Sequence, residues 1–126
     1  MLAKIERGGE LFGATVDTGW WATQGYDATD AIEELGAHVW HVHLKDCDPA
    51  VKAQSARESW DYQQSVGHGV FCELGKGSVD FPAVLSRLRS TGYDGWLVVE
   101  QDVLPSMGAP AESAARNRAY LNSIGV

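Results

Sequence analysis

The feature that most constrains this chain is an alternation of short apolar segments with helical patterns. Three segments, residues 13–16, 38–44 and 95–100, have the length and composition of strands. A pattern with helical periodicity follows each of them, starting near residues 28, 80 and 111. This order predicts parallel strands joined by right-handed crossovers, and therefore an α/β fold.

Capping residues mark where the predicted helices begin. For the first helix, residues 28–35, either Asp27 or Thr29 is the expected N-cap. The second helix is expected to start at Asp80. The long stretch 46–80 has helical propensity in its first half and loop composition in its second.

Length and charge narrow the classes of function. With 126 residues, the chain (1–126) fits a single domain. The net charge of −7 disfavours binding to nucleic acid or to anionic membranes. No apolar run is long enough to span a bilayer, and the first residues lack the apolar core of a signal peptide. Cys47 and Cys72 are too few for a disulfide scaffold, so we expect a cytoplasmic protein with reduced thiols.

Each predicted strand ends in ionisable side chains. The first ends at Asp17, the second carries His41, His43 and Lys45 at alternate positions, and the third ends at Glu100. Because side chains alternate along a strand, these residues are expected on one face of the sheet, opposite an apolar face that packs on helices. Functional groups gather at the carboxyl ends of parallel strands.

A carboxylate, an imidazole and a second carboxylate on neighbouring strand ends can bind a divalent metal ion. Oxygen and nitrogen ligands suit Mn²⁺, Co²⁺, Mg²⁺ or Zn²⁺. The alternative is structural, with His43 bonded to a backbone carbonyl and the acids paired with bases. Lys45 is either a solvated charge or a partner for a phosphate, carboxylate or enolate oxygen.

Four motifs follow one another along the chain: "VDTG", "HVHLKD", "LGKGSVDFPAVLSRLRSTGYDGWLVVEQD" and "GAPAESAARNRAYLNSIG". In this order they resemble the xylose isomerase-like TIM-barrel superfamily, and within it the sugar phosphate isomerase/epimerase branch that includes inosose dehydratases. The resemblance implies a partial (β/α)8 TIM barrel that contains about the last three β/α units, because a whole barrel needs eight strands and about 250 residues.

The resemblance also implies a set of metal ligands. The family binds one divalent metal through a Glu, an Asp, a His and a Glu at four consecutive strand ends. Asp17, His43 and Glu100 match the last three of these positions. The first Glu has no match, since no strand that ends in Glu precedes Asp17.

The implied activity is a sugar or cyclitol isomerisation, epimerisation or dehydration through an enediolate. Glu100 is the expected proton-transfer group, and Lys45 is expected to contact a small polyol or ketose substrate. His41 and Asp46 are neighbours that could contact the substrate or support the site, and Asp46 could instead cap the following helix. Trp20 stands where the family usually has a substrate-contacting His, and an indole can stack on a sugar but cannot shuttle a proton.

Two other classes of function remain open. A set of three parallel strands leaves open sheet edges, so the chain could be a non-catalytic barrel remnant or a self-associating interaction module. The partner would then be a second copy or the missing amino-terminal half of a barrel. An endonuclease IV-like repair enzyme is disfavoured, because the chain is acidic and lacks the His and acid clusters for several zinc ions.

The motif "GKG" (75–77) is neither a P-loop nor a dinucleotide fingerprint and predicts a flexible loop near the site. Arg116 and Arg118 are expected on a solvated face of the last helix.

Overall fold

The computed structural model describes Ile5 and residues 7–126. Two expectations depend partly on residues outside this range: that the first residues are not a signal peptide, and that no strand ending in Glu precedes Asp17. The strands are β1 (Ala14–Asp17), β2 (Val39–Leu44), β3 (Asp46–Cys47), β4 (Phe71–Cys72) and β5 (Leu97–Val99). The helices labelled here are α1 (Thr18–Thr23), α2 (Ala28–Leu35), α3 (Pro49–Glu58), α4 (Tyr62–Gly67), α5 (Phe81–Ser90) and α6 (Pro110–Ser123). Short 3-10 turns cover Gly9–Leu11, Gly36–His38 and Pro105–Met107.

Strands β1, β2 and β5 form a parallel sheet in the order β1–β2–β5. The apolar face of this sheet packs against α2 and α5, and its central side chains are completely buried: Val16, Val42 and Leu44 are each 0% exposed. The predicted parallel α/β arrangement is therefore confirmed.

The predicted alternation of His41 and His43 with the buried Val42 and Leu44 agrees with the structure, and a register shift between β1 and β2 precedes it at the start of β2. Ala14 pairs with Val39, whereas Thr15 pairs with His41, so Trp40 is an extra residue of the kind found in a β-bulge. Val39 joins the core at 6% exposure, and Trp40 is 50% exposed. A Cβ at Gly13 would lie 2.1 Å from the Trp40 ring, so the glycine makes room for the indole.

The capping predictions agree with the structure. Asp27 is the N-cap of α2 and accepts a hydrogen bond from the Thr29 backbone N–H at 2.8 Å. Asp80 caps α5 through the Ala83 N–H at 3.0 Å. Asp27 and not Thr29 is thus the cap, because its carboxylate reaches the free N–H two residues on.

The long stretch 46–80 contains more structure than predicted. Its first half forms α3 and α4, as expected. Its second half includes β4, which pairs with β3 in antiparallel fashion, Asp46 opposite Cys72. The N-cap of α3 is Asp48, whose side chain accepts the Ala50 N–H at 2.8 Å, so the suggestion that Asp46 caps this helix is wrong.

No helix within Ile5 and residues 7–126 has both the length and the apolar character needed to cross a bilayer.

Candidate metal centre

Asp17, His43 and Glu100 meet at the carboxyl ends of β1, β2 and β5. One ligand atom from each lies within 4.8 Å of the other two. Nδ1 of His43 is 2.5 Å from Oε2 of Glu100 and 3.8 Å from Oδ2 of Asp17. The sheet imposes this arrangement, since Asp17 is paired with His43 and the Glu100 N–H donates to the Leu44 carbonyl at 3.1 Å.

The donor set fits a divalent cation. Two carboxylates and one imidazole supply oxygen and nitrogen donors without a thiolate, which suits hard or borderline metal ions. The three side chains are partly open, at 21% exposure for Asp17, 28% for His43 and 42% for Glu100. Solvent or a substrate oxygen can therefore reach the point between them.

Asp17 also begins a helix. Its Oδ1 accepts a hydrogen bond from the Trp20 backbone N–H at 2.9 Å as the N-cap of α1. The other oxygen, Oδ2, is the one near His43. The cap therefore fixes the rotation of the carboxylate and directs its second oxygen toward the other ligands.

Lys45 lies beneath this cluster and is only 3% exposed. Its Nζ contacts Oε1 of Glu100 at 2.7 Å and Oδ2 of Asp102 at 2.9 Å, and lies 4.2 Å from the centre of the Phe71 ring. Burial alone would lower the pKa of Lys45, but the hydrogen bonds to Glu100 and Asp102 outweigh it and raise that pKa above its ordinary value. The alternative of a solvated Lys45 is therefore wrong, because two carboxylates hold the ammonium inside.

Glu100 is held as a carboxylate. The hydrogen bond from Lys45 lowers the pKa of Glu100, burial opposes this, and His43 adds a smaller contribution in the same direction. Lys45 occupies Oε1, which leaves Oε2 directed at His43.

The backbone at Lys45 is fixed by α1. The Thr18 hydroxyl donates to the Lys45 carbonyl at 2.6 Å and accepts from the Lys45 N–H at 2.9 Å. Gly19 allows the close approach, since a Cβ there would lie 2.7 Å from the Lys45 side chain. Sequence reasoning missed Thr18 because no strand pattern indicates a contact 27 residues away.

Asp102 was also missed, although a signal for it exists. It lies two residues beyond Glu100, so a continued strand alternation would place both acids on one face.

The predicted substrate contacts fall in different places. His41 packs edge-on against His43, with 5.0 Å between ring centres, on the inner face of the sheet but outside the ligand cluster. Trp20 is 48% exposed and packs edge-on against Tyr62. His41 is partly exposed and Trp20 is exposed, so solvent reaches both side chains.

Asp46 does not fit a substrate contact. Its side chain is completely buried. Oδ1 accepts the Cys47 N–H at 2.8 Å and the Val79 N–H at 3.1 Å, and Oδ2 accepts the N–H groups of Gly75 and Gly77, each at 2.9 Å. Asp46 therefore anchors the 75–79 loop, because the backbone amides of the "GKG" motif donate hydrogen bonds to its carboxylate.

Arg116 is exposed, as predicted, but it also bonds to a buried acid. Its Nε donates to Oε1 of Glu73 at 2.8 Å, and Ser113 donates to the same oxygen at 2.9 Å. Lys76 contacts Oε2 of Glu73 at 2.7 Å. These bonds lower the pKa of Glu73 to about 2, with Arg116 the largest cause. They join the segment after β4 to α6.

Comparison with known proteins places these features in a family. The family profile described as "Xylose isomerase-like TIM barrel" matches residues 2–124. An inosose dehydratase from Geobacillus thermodenitrificans (strain NG80-2) is 35% identical over 105 residues, which are 83% of this chain and 35% of that protein. An inosose dehydratase from Clostridium botulinum (strain Eklund 17B / Type B) is 31% identical over 105 residues, with the same coverage of 83% and 35%. The rhizopine catabolism protein MocC of Rhizobium meliloti is 35% identical over 102 residues, 81% of this chain and 31% of that protein.

Two solved structures share the fold. A xylose isomerase domain protein from Planctomyces limnophilus aligns with a TM-score of 0.72 at 21% identity, covering 98% of this chain and 41% of that one. A D-tagatose 3-epimerase-like protein aligns with a TM-score of 0.59 at 23% identity, covering 89% and 34%. The chain spans 35% of the length of the first curated relatives it matches, about a third.

Proposed function

The chain belongs to the xylose isomerase-like TIM-barrel family, and from this membership we propose that it binds one divalent cation and processes a small sugar or cyclitol. The chain has the fold of a partial barrel, with three parallel strands. The observation that carries the proposal is the convergence of Asp17, His43 and Glu100 within 4.8 Å. The proposed ion is Mn²⁺, Co²⁺, Mg²⁺ or Zn²⁺, because the donors are oxygen and nitrogen.

The proposed reaction begins with the removal of a proton from the carbon next to a carbonyl. A divalent cation at the three ligands would polarise the carbonyl and an adjacent hydroxyl. Glu100 is the proposed proton acceptor, because the hydrogen bond from Lys45 lowers its pKa and so keeps it ionised, and because its Oε2 lies within the ligand cluster beside His43. Isomerisation, epimerisation and dehydration share this step, and the named relatives favour dehydration of a keto-cyclitol.

Lys45 has two roles in this proposal. Its Nζ donates a hydrogen bond to Glu100, which orients that carboxylate, and forms an ion pair with Asp102 at 2.9 Å. Another N–H of the same ammonium group can donate to a substrate oxygen that gains negative charge. Trp20 and His41 are the other proposed substrate contacts, and Asp46 is left out because it is buried and fully bonded.

The first experiment measures metal content. After equilibration with Mn²⁺ and desalting, mass spectrometry should find a stoichiometric amount of metal in the parent protein and in His41→Ala. It should find a loss of at least about tenfold in Asp17→Ala and His43→Ala, because each removes one donor. His41→Ala is the matched control, since it deletes a neighbouring imidazole outside the cluster.

The second experiment measures proton removal. In D₂O with Mn²⁺, proton NMR should show deuterium entering 2-keto-myo-inositol or a ketose beside the carbonyl. Glu100→Gln should slow this exchange by about 100-fold or more, the usual contribution of a general base. Metal binding without exchange on any such substrate would contradict the catalytic part of the proposal and leave the metal site standing.

We also propose a reducing, cytoplasmic location. Cys47 and Cys72 are both free. Burial raises the pKa of Cys47 to about 11 and that of Cys72 to about 12, so both thiols stay protonated and unreactive.

A second candidate function is a self-associating barrel segment. Within the described residues, β1 and β5 are the edges of the sheet, and Val98 on β5 is 38% exposed. Open edges and exposed apolar side chains favour pairing with another chain.

A further inference from the structure

A cleft of about 510 Å³ lies beside the metal centre, between α1 and the α3–α4 pair. Four aromatic side chains line it: Trp20, Trp60, Tyr62 and Phe71. We propose that this cleft binds a second sugar ring, so that the substrate is a glycoside whose other ring sits at the metal centre. This inference rests on the proposed sugar or cyclitol chemistry of that centre.

Two residues that line the cleft contact residues at the metal centre. Phe71 lines the cleft and also carries the Lys45 ammonium at 4.2 Å from its ring centre. Trp20 lines the cleft with its side chain, while its backbone N–H donates to the metal ligand Asp17. The cleft is thus linked to the metal centre through the Asp17 cap and the Lys45–Phe71 contact, while the three ligand side chains lie outside its lining.

The aromatic side chains that line the cleft are fixed by packing against neighbouring rings. Tyr62 packs edge-on against Trp20, with 5.6 Å between ring centres, and is tilted against Phe71 at 6.5 Å. Trp60 stacks on the His68 ring at 3.8 Å with an interplanar angle of 16°. Fixed aromatic rings offer flat surfaces for the C–H face of a sugar at a low cost in conformational entropy.

The polar groups of the cleft suit an uncharged, hydroxylated ligand. Its two charged side chains have opposite signs and each bonds within the protein: Lys52 donates to the Ala22 carbonyl at 2.6 Å, and Asp61 caps α4. The Tyr62 hydroxyl and the Ser59 hydroxyl make no hydrogen bond within the described part of the chain. Free hydroxyls beside aromatic rings match a neutral sugar better than a phosphate or an alkyl chain.

The backbone at the rim of the cleft is strained. Ser59, with φ 55° and ψ 40°, has a left-handed conformation at the end of α3, and among the described residues other than glycine it alone has a positive φ. Such conformations in non-glycine residues often occur at binding sites. The volume of about 510 Å³ also lies within the usual range of small-molecule sites.

The test compares binding of one-ring and two-ring sugars by ligand-observed NMR titration of the full chain. The probes are glucose and methyl β-glucoside against cellobiose, maltose and trehalose. We expect at least one disaccharide to bind about tenfold more tightly than either one-ring probe, since a well-packed ring adds a few kcal/mol at most. If no disaccharide exceeds the one-ring probes, the inference is overturned.

Variants test whether the tighter binding of disaccharides depends on the cleft. Trp60→Ala should reduce the disaccharide advantage to about twofold or less and leave glucose binding unchanged, and Trp60→Phe should restore part of it. Trp96→Ala is the matched control, because Trp96 is 81% exposed and lies outside the cleft. A disaccharide advantage that survives in Trp60→Ala would also overturn the inference.

Repeating the titrations with EDTA and with His43→Ala separates the two proposals. If metal binds stoichiometrically but disaccharides gain nothing, the second-ring site is wrong and the metal centre stands. If metal does not bind but the Trp60-dependent preference persists, the cleft stands as a sugar site and the proposed metal chemistry fails.

Discussion

The Asp46 carboxylate shows how a buried residue can shape a site that it does not enter. It accepts four backbone N–H groups, including those of Gly75 and Gly77. A Cβ at Gly77 would lie 2.3 Å from the Asp46 Oδ1, so only glycine permits this approach. The residue before Asp46 is Lys45, which means that the same carboxylate also fixes the chain beneath the metal centre.

Asp46→Asn should therefore destabilise the protein by about 3 kcal/mol, because an amide N–H₂ group would face backbone donors and the charge-assisted bonds would be lost. Urea unfolding followed by circular dichroism measures this change. Asp61→Asn is the control: Asp61 is an exposed N-cap, where Asn serves nearly as well, and the expected change is under about 0.5 kcal/mol. A loss at Asp46 no larger than at Asp61 would mean that the loop is held by other contacts.

At the scale of single residues, the sequence predicts side chains that a strand periodicity controls. Asp17, His43 and Glu100 could be placed together because alternation and parallel pairing determine where each points. The partners of Asp46 could not be predicted, because they come from loop amides that any sequence carries. The surroundings of Lys45 could not be predicted either, because the sequence did not indicate whether water or carboxylates surround its ammonium group.

Charge-assisted hydrogen bonds to Glu73 connect the segment after β4 to helix α6. Glu73 is 4% exposed and accepts bonds from Arg116 and Ser113, with Lys76 near its other oxygen. Because the folded state lowers the pKa of Glu73 from an ordinary 4.5 to about 2, its stabilising effect is complete above about pH 4.5. The effect is lost as the pH falls toward 2.

Glu73→Gln should accordingly reduce stability at pH 6.5 by roughly 1 kcal/mol, a value kept small because Arg116 and Lys76 are solvent-screened. The difference from the parent protein should shrink at pH 3, because there Glu73 is protonated in the unfolded chain but still mostly ionised in the folded state. Urea unfolding at both pH values measures this. Arg116→Met should behave like Glu73→Gln, whereas Arg118→Met, on the exposed side of the same helix, should not. An equal deficit for Glu73→Gln at both pH values would show that packing, not charge, is what Glu73 supplies.

At the scale of elements, capping residues and apolar periodicity predicted α2 and α5 well, because both helices bury one face and start at an Asp. The bulge at Trp40 was not predictable from alternation, since it depends on the space that Gly13 leaves. The β3–β4 pair was missed because two-residue strands carry no periodicity.

The whole molecule presents one covered and one open face of its sheet. Helices α2 and α5 bury the apolar face, while the face that carries the metal ligands is only partly covered. In a closed eight-stranded barrel, that inner face would be enclosed by the remaining strands. In this chain it includes Val98, which pairs with His43 and is 38% exposed.

Such a surface should drive self-association of the chain through the sheet edges β1 and β5. Sedimentation velocity across roughly a hundredfold concentration range should show a dimer or larger species, because exposed edges and apolar side chains gain partners on pairing. Val98→Lys should shift the chain toward monomer by placing a charge on the inner face. Ser86→Lys adds the same charge on the exposed surface of α5 and should leave association unchanged. A stable monomer at every concentration would rule out barrel completion by self-association of this chain.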